Sequence, residues 1–127
     1  MKTSYTEISP YTTKDGSQIR ELMHPDRHAN RNQSLAEAII AVGQETLLHK
    51  HLRTEELYHI TAGRGRMRLA DNDFPVGPGD TVHIPPGTAH AVRNIGDVPL
   101  RILCCCAPPY SHDDTIVLTG EDGSAVG

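Results

Sequence analysis

The sequence predicts an all-β domain built as a barrel or sandwich, and three observations carry that expectation. From Gly43 onward, short apolar runs alternate with Gly, Pro and Asp turns at a spacing of about eight to twelve residues, the rhythm of such folds. The apolar runs are short throughout; even 34–42, SLAEAIIAV, stops at Gly43 and reads as a strand despite its helix-favouring Ala and Glu. No internal repeat or linker divides the 127 residues, a length that suits one domain.

The elements follow in order. Residues 1–33 are polar, with a turn at Thr12–Ser17, a short strand near Ile19–Leu22 and a loop through HPDRHANRNQ. They read as an N-terminal arm with little of its own to pack on. Residues 34–118 form the barrel, with strands expected at 34–42, 46–51, 56–62, 65–70, 81–84, 89–93, 100–106 and 115–118. Residues 119–127, TGEDGSAVG in 119–127, read as a frayed tail. With one Phe, four Tyr and no Trp, the core falls to Ile, Leu, Val, Ala, Met and Cys.

Bulk properties narrow the function. A net charge of −4 without a Lys/Arg-rich block argues against nucleic acid. No apolar run is long enough to span a membrane, and the start MKTSYTEISPY lacks a secretory leader, so a cytoplasmic location is expected. Cys104, Cys105 and Cys106 are contiguous, so successive thiols on a strand point to opposite faces and lack the spacing of a zinc site. They read as packing.

The chemistry concentrates in two stretches. In GQETLLHKHLRTEELYHITAG, residues 43–63, His49 and His51 lie two apart on one strand and share a face. Glu56 opens the next strand after a four-residue turn. In GDTVHIPPGTAHAVRN, residues 79–94, His90 opens another strand. Three imidazoles and a carboxylate make a mixed nitrogen and oxygen set for a first-row divalent metal. The remaining histidines, His24, His28, His59, His83 and His112, read as exposed or locally hydrogen-bonded.

These stretches resemble the paired motifs of the cupin superfamily. Gly43, His49, His51, Glu56 and Gly63 fill the first motif; Gly79, Pro85, Gly87, His90 and Asn94 fill the second, with fifteen residues between Gly63 and Gly79. The resemblance implies a double-stranded β-helix, or jelly-roll, barrel. It implies one metal ion held in the barrel mouth by His49, His51, Glu56 and His90, with iron, manganese, nickel, zinc or cobalt all compatible. Glu55 competes with Glu56, but the six-residue gap to Gly63 favours Glu56. Small cupins similar to this chain commonly pair as homodimers and exchange N-terminal strands, so the arm is expected to carry an exchanged strand.

Strand parity places Leu47, Tyr58, Ile60, Met67, Leu69, Val82, Ile84, Val92, Ile102, Cys104 and Cys106 inward with the ligands. Tyr58 is thus a candidate to hydrogen-bond a substrate, and Arg53, in the turn before Glu56, to meet an anionic group. His24 or His28 could supply a base if the arm folds over the mouth. The expected function is a metal-dependent enzyme acting on a small oxygenated metabolite such as a sugar acid, keto acid or diol. It would be of isomerase or lyase type, or an oxygen-dependent dioxygenase. The alternative is a non-catalytic small-molecule-binding module.

Overall fold

The computed structural model describes residues 1–119 and the strand Ser124–Ala125. Twelve strands run β1 (Tyr11–Thr12), β2 (Gln18–Met23), β3 (Ser34–Ile40), β4 (His49–His51), β5 (Glu55–Ala62), β6 (Gly65–Leu69), β7 (Asn72–Val76), β8 (Thr81–Ile84), β9 (His90–Asn94), β10 (Leu100–Ala107), β11 (Thr115–Thr119) and β12 (Ser124–Ala125). Short 3-10 turns occupy Tyr5–Glu7 and His112–Asp114, and no α-helix occurs among the described residues. No helix there is long and apolar enough to cross a membrane.

Every pairing is antiparallel, and the strands form two six-stranded sheets. One has the order β1-β2-β3-β10-β5-β8, the other β12-β11-β4-β9-β6-β7. This is the jelly-roll arrangement the sequence predicts. Burial alternates residue by residue along β3, β5, β8 and β10, as expected where one face meets the core and the other meets water. Ile60, Ile84, Leu100 and Ile102 from the first sheet and Met67 and Val92 from the second are almost fully buried.

Two motif residues act on the backbone. Gly63, where β5 leads into β6, has φ of +84°, and a Cβ there would lie 2.7 Å from the Pro99 oxygen and 2.8 Å from the Leu100 Cα. Only glycine meets both conditions without displacing that chain. Asn94 donates from Nδ2 to the Ile40 and Val98 carbonyls and accepts the Gly96 N–H on Oδ1, tying the β9–β10 loop to the end of β3.

Some expectations need correction. The strand expected at 46–51 is regular only over His49–His51, and Leu47, expected inward, is 52% exposed. The irregular backbone before β4 resets the parity, so Thr46 is the buried residue instead, its Oγ1 accepting the Val92 N–H. The Asn72–Val76 stretch, where no strand was expected, is an edge strand, where Pro75 is tolerated. The arm does not lack a surface to pack on: β2 pairs along β3 of its own chain from Gln18 to Met23 and buries Ile19 and Glu21. In the segment read as a tail, Ser124 and Ala125 pair with β11, while 120–123 and 126–127 lie outside the described residues.

Candidate metal centre and its cavity

The two sheets contribute different chemistry to one place. His49 and His51 lie on β4, and His90 faces His49 across the β4–β9 pairing. Glu56 comes from β5 on the other sheet. All four are nearly fully buried. The turn joining β4 to β5 is fixed by Asp114, whose carboxylate accepts the N–H groups of Arg53 and Thr54 at 3.1 Å each. Burial pushes the Asp114 carboxyl up, but these donors and the Arg53 guanidinium hold it below its usual range.

Hydrogen bonding sets the tautomer of each imidazole. The Nδ1 of His49 meets the Leu47 carbonyl at 2.8 Å, and that of His90 meets the Thr88 carbonyl at 2.9 Å. A carbonyl only accepts, so both Nδ1 atoms carry the proton. The His51 Nδ1 lies 2.9 Å from Thr115 Oγ1, whose own proton goes to the Ser111 carbonyl at 2.9 Å, so it too is the donor. Three Nε2 lone pairs are left pointing inward, and a ligand atom of each histidine lies within 4.8 Å of those of the other two.

Glu56 completes the cluster. Its Oε1 lies 3.3 Å from the His51 Nε2 and 3.5 Å from the His90 Nε2, while its Oε2 accepts the Cys106 thiol at 3.2 Å. Glu56 Oε1 and His90 Nε2 are buried without a hydrogen-bond partner. Electron-pair donors that converge with no protein N–H or O–H aimed between them call for a cation among them, either a metal ion or protons. The set therefore fits a divalent metal: three histidines that could bind one, and a carboxylate alongside. Burial pushes the Glu56 carboxyl up, but when protons rather than a metal fill the cluster, hydrogen bonds and charge from the His51 and His90 rings more than offset this and hold it far below the carboxylate range. Burial, with His90 beside it, lowers His49 to about 4.

A cavity of about 40 Å³ opens beside His49, His51 and Glu56, enough for a few waters. Tyr58 lines it, edge-on to His90 with ring centroids 5.9 Å apart, and its hydroxyl makes no hydrogen bond among the described residues. Burial, and then the Glu56 charge, push that phenol well above its ordinary value. Arg53 does not line the cavity; its side chain is 82% exposed and its Nε sits 3.6 Å from Asp114. Glu55 faces outward and pairs with His83 at 2.9 Å. His24 is committed at both nitrogens, Nδ1 accepting the Asp26 N–H and Nε2 donating to the Tyr110 carbonyl, and His28 accepts the His24 N–H. Neither ring is free to act as a base.

Two contributors escaped the sequence reading. Asp15, read as a turn residue, is buried in the cavity wall, its Oδ1 accepting from Ser17 and its Oδ2 3.5 Å from the His49 Nε2. Nothing in an Asp-Gly-Ser turn announces that placement. Cys106, read as packing, also orients Glu56. Burial, and then Glu56, push the Cys104 and Cys106 thiols far above their ordinary range, which keeps both as neutral thiols.

Comparison with known proteins agrees with this architecture. The family model described as a cupin domain matches residues 36–106. The chain is 58% identical over 118 residues to the uncharacterised protein MJ1618 of Methanocaldococcus jannaschii, covering 93% of this chain and 94% of that one. Among solved structures, a predicted oxalate decarboxylase of Thermotoga maritima superposes with a TM-score of 0.73 at 24% identity, covering 85% of this chain and 99% of that chain. The nucleoside dehydratase Pac13 of Streptomyces does so with a TM-score of 0.75 at 16% identity, over 93% and 90%. At such identities the likeness concerns the fold. With its two facing sheets, complete motifs and converging histidines, the chain belongs to the cupin family.

Proposed function

We propose that His49, His51, Glu56 and His90 hold one divalent first-row metal ion, and that the adjoining cavity takes a small oxygenated metabolite for isomerase or lyase chemistry. The observation that carries this reading is the convergence of buried, acceptor-only atoms with no internal donor among them. Iron, manganese, nickel, zinc and cobalt all suit mixed imidazole and carboxylate ligation. A bound ion supplies a Lewis-acidic centre beside a substrate oxygen. The walls, from Ile19, Ala36, Ala38, Ile102 and Cys104, exclude water and strengthen polar interactions inside. Tyr58 stays protonated, so its hydroxyl can donate to substrate as well as accept. A sugar acid, keto acid or diol would present the required oxygens, in keeping with a cytoplasmic enzyme.

The test is metal reconstitution followed by assay on sugar acids, keto acids and diols, with and without oxygen. About one metal per chain and turnover without oxygen are expected. Oxygen consumption on iron would move the reading to a dioxygenase; tight binding without product would leave a binding module. Less than about a tenth of a metal per chain, with no heat of binding, would sink the metal assignment.

A homodimer is part of the same proposal. On the outer face of the first sheet, Leu35 and Leu57 are 38% and 42% exposed and flank Cys105 in register across β3, β10 and β5. A second copy would cover this stripe isologously. Light scattering should give about twice the 13.9 kDa chain mass; a monomer mass across the concentration range would refute it.

A further inference from the structure

Glu21 is a buried carboxylate that the metal centre does not use. It sits on β2, 7% exposed, and its Oε1 accepts the Tyr11 hydroxyl at 2.9 Å. Its Oε2 is buried with no partner. Burial pushes the carboxyl above its usual range.

The place of Glu21 in the fold gives that oxygen meaning. Glu21, Tyr11 and Tyr110 line the inner cavity beside His49, His51 and Glu56. The same three line an outer hollow of about 490 Å³ formed with His24, Arg27 and the 109–113 segment. They therefore stand at the neck between the two spaces. No neighbour there completes Glu21: His24 spends both ring nitrogens on backbone groups, and the Tyr110 hydroxyl is paired with Thr13 at 2.9 Å. A buried acceptor kept without a partner in a cavity wall is a position waiting for a donor from outside the chain.

We propose that Glu21, supported by Tyr11, is a distal substrate subsite, and that it selects a short molecule carrying a hydroxyl at the end opposite the oxygen facing His49, His51 and Glu56. The second half of this statement rests on the metal reading above. The first half does not. A hydroxyl suits the subsite because it can donate to Oε2 and accept in return if the carboxyl is protonated. A site built to pair a hydroxyl rejects the analogue lacking it, because the carboxylate is then desolvated without compensation.

The experiment compares 3-hydroxypropionate with propionate, and 4-hydroxybutyrate with butyrate, on cobalt-loaded protein by calorimetry. In these pairs the hydroxyl is remote from the carboxylate. For the acid whose length fits, the hydroxyl should strengthen binding at least about tenfold. E21L should abolish the preference while taking up cobalt as the wild type does, and it should melt no lower than wild type because an uncompensated carboxylate has gone. E21Q, which keeps shape and an acceptor oxygen, should fall between. No hydroxyl preference in the wild type, a preference kept in E21L, or loss of cobalt uptake in E21L would each overturn the subsite. If the wild type takes up no metal, the metal reading fails separately. The metal-free protein, titrated with 1,3-propanediol and 1-propanol by saturation-transfer NMR, then decides: a Glu21-dependent preference for the diol supports the subsite, and its absence overturns it.

Discussion

Thr115→Val isolates the device that fixes the inward-facing nitrogen of His51, the atom proposed to meet the metal. Thr115 is 1% exposed and holds two hydrogen bonds through one oxygen, accepting from His51 Nδ1 and donating to the Ser111 carbonyl. Valine matches the shape, so packing is preserved, but both groups lose their partner. The imidazole N–H is buried, and leaving it unpaired costs about 1–3 kcal/mol. The Ser111 carbonyl belongs to a partly exposed residue and can turn to water. A fall in melting temperature of roughly 4–12 °C follows for a domain of this size. The ring also loses what holds its tautomer and aim, and removing such a support lowers metal affinity by about 10–100-fold. Thr115→Ser keeps the hydroxyl and should restore affinity. Competition of each variant with a chelating indicator measures the effect. Equal affinities for wild type, Thr115→Val and Thr115→Ser would show that the tautomer is set some other way and would refute the scheme.

Three further outcomes follow. His90→Ala should lower metal affinity by more than about 100-fold, beyond the effect of an outer support, while His59→Ala and His83→Ala, whose rings face solvent and bond Thr81 and Glu55, should bind as wild type in the same competition assay. The metal-free protein should lose stability as pH falls from 6.5 to about 4. The unfolded chain protonates His49 near its ordinary 6.5, whereas the fold resists until about 4, so the unfolded state binds more protons across that window. The loss is on the order of 3 kcal/mol, and urea melts across that range would show it; flat stability would contradict it. Gly63→Ala should destabilise by about 2–5 kcal/mol, combining left-handed strain with overlap on the Pro99–Leu100 backbone, read by thermal melting.

The fold was legible because turn chemistry and burial alternation are local signals. Of the four candidate ligands, His49 and His51 were legible because they share a strand face, while Glu56 and His90 were legible through their fit to the paired motifs. Parity failed for Leu47 because it assumes an unbroken strand, and the backbone before β4 is irregular. Arg53 was considered for substrate because it is charged and near the ligands in sequence, but its turn is tied to Asp114 and its side chain faces solvent. Asp15 and Glu21 were missed for the opposite reason. Both lie far from the motifs in sequence, in a stretch too polar to suggest burial, and reach the cavity through the long-range pairing of β2 with β3.

The wall opposite the histidines is made of small side chains. Ala36 and Ala38 on β3 face Cys104 and Ile102 on the neighbouring β10, and all four border the cavity. The short side chains of Ala36, Ala38 and Cys104 leave room for the hollow. Capacity and the imidazoles thus lie on separate sheets: side-chain volume on β3 and β10 sets how large a guest fits, while the histidines stand on the facing sheet and only Glu56 reaches them from the β5 side. Exchanging Ala38 or Cys104 for a larger aliphatic would shrink the chamber without replacing any of the four candidate ligands, so guest size could be retuned while the histidine cluster stays intact.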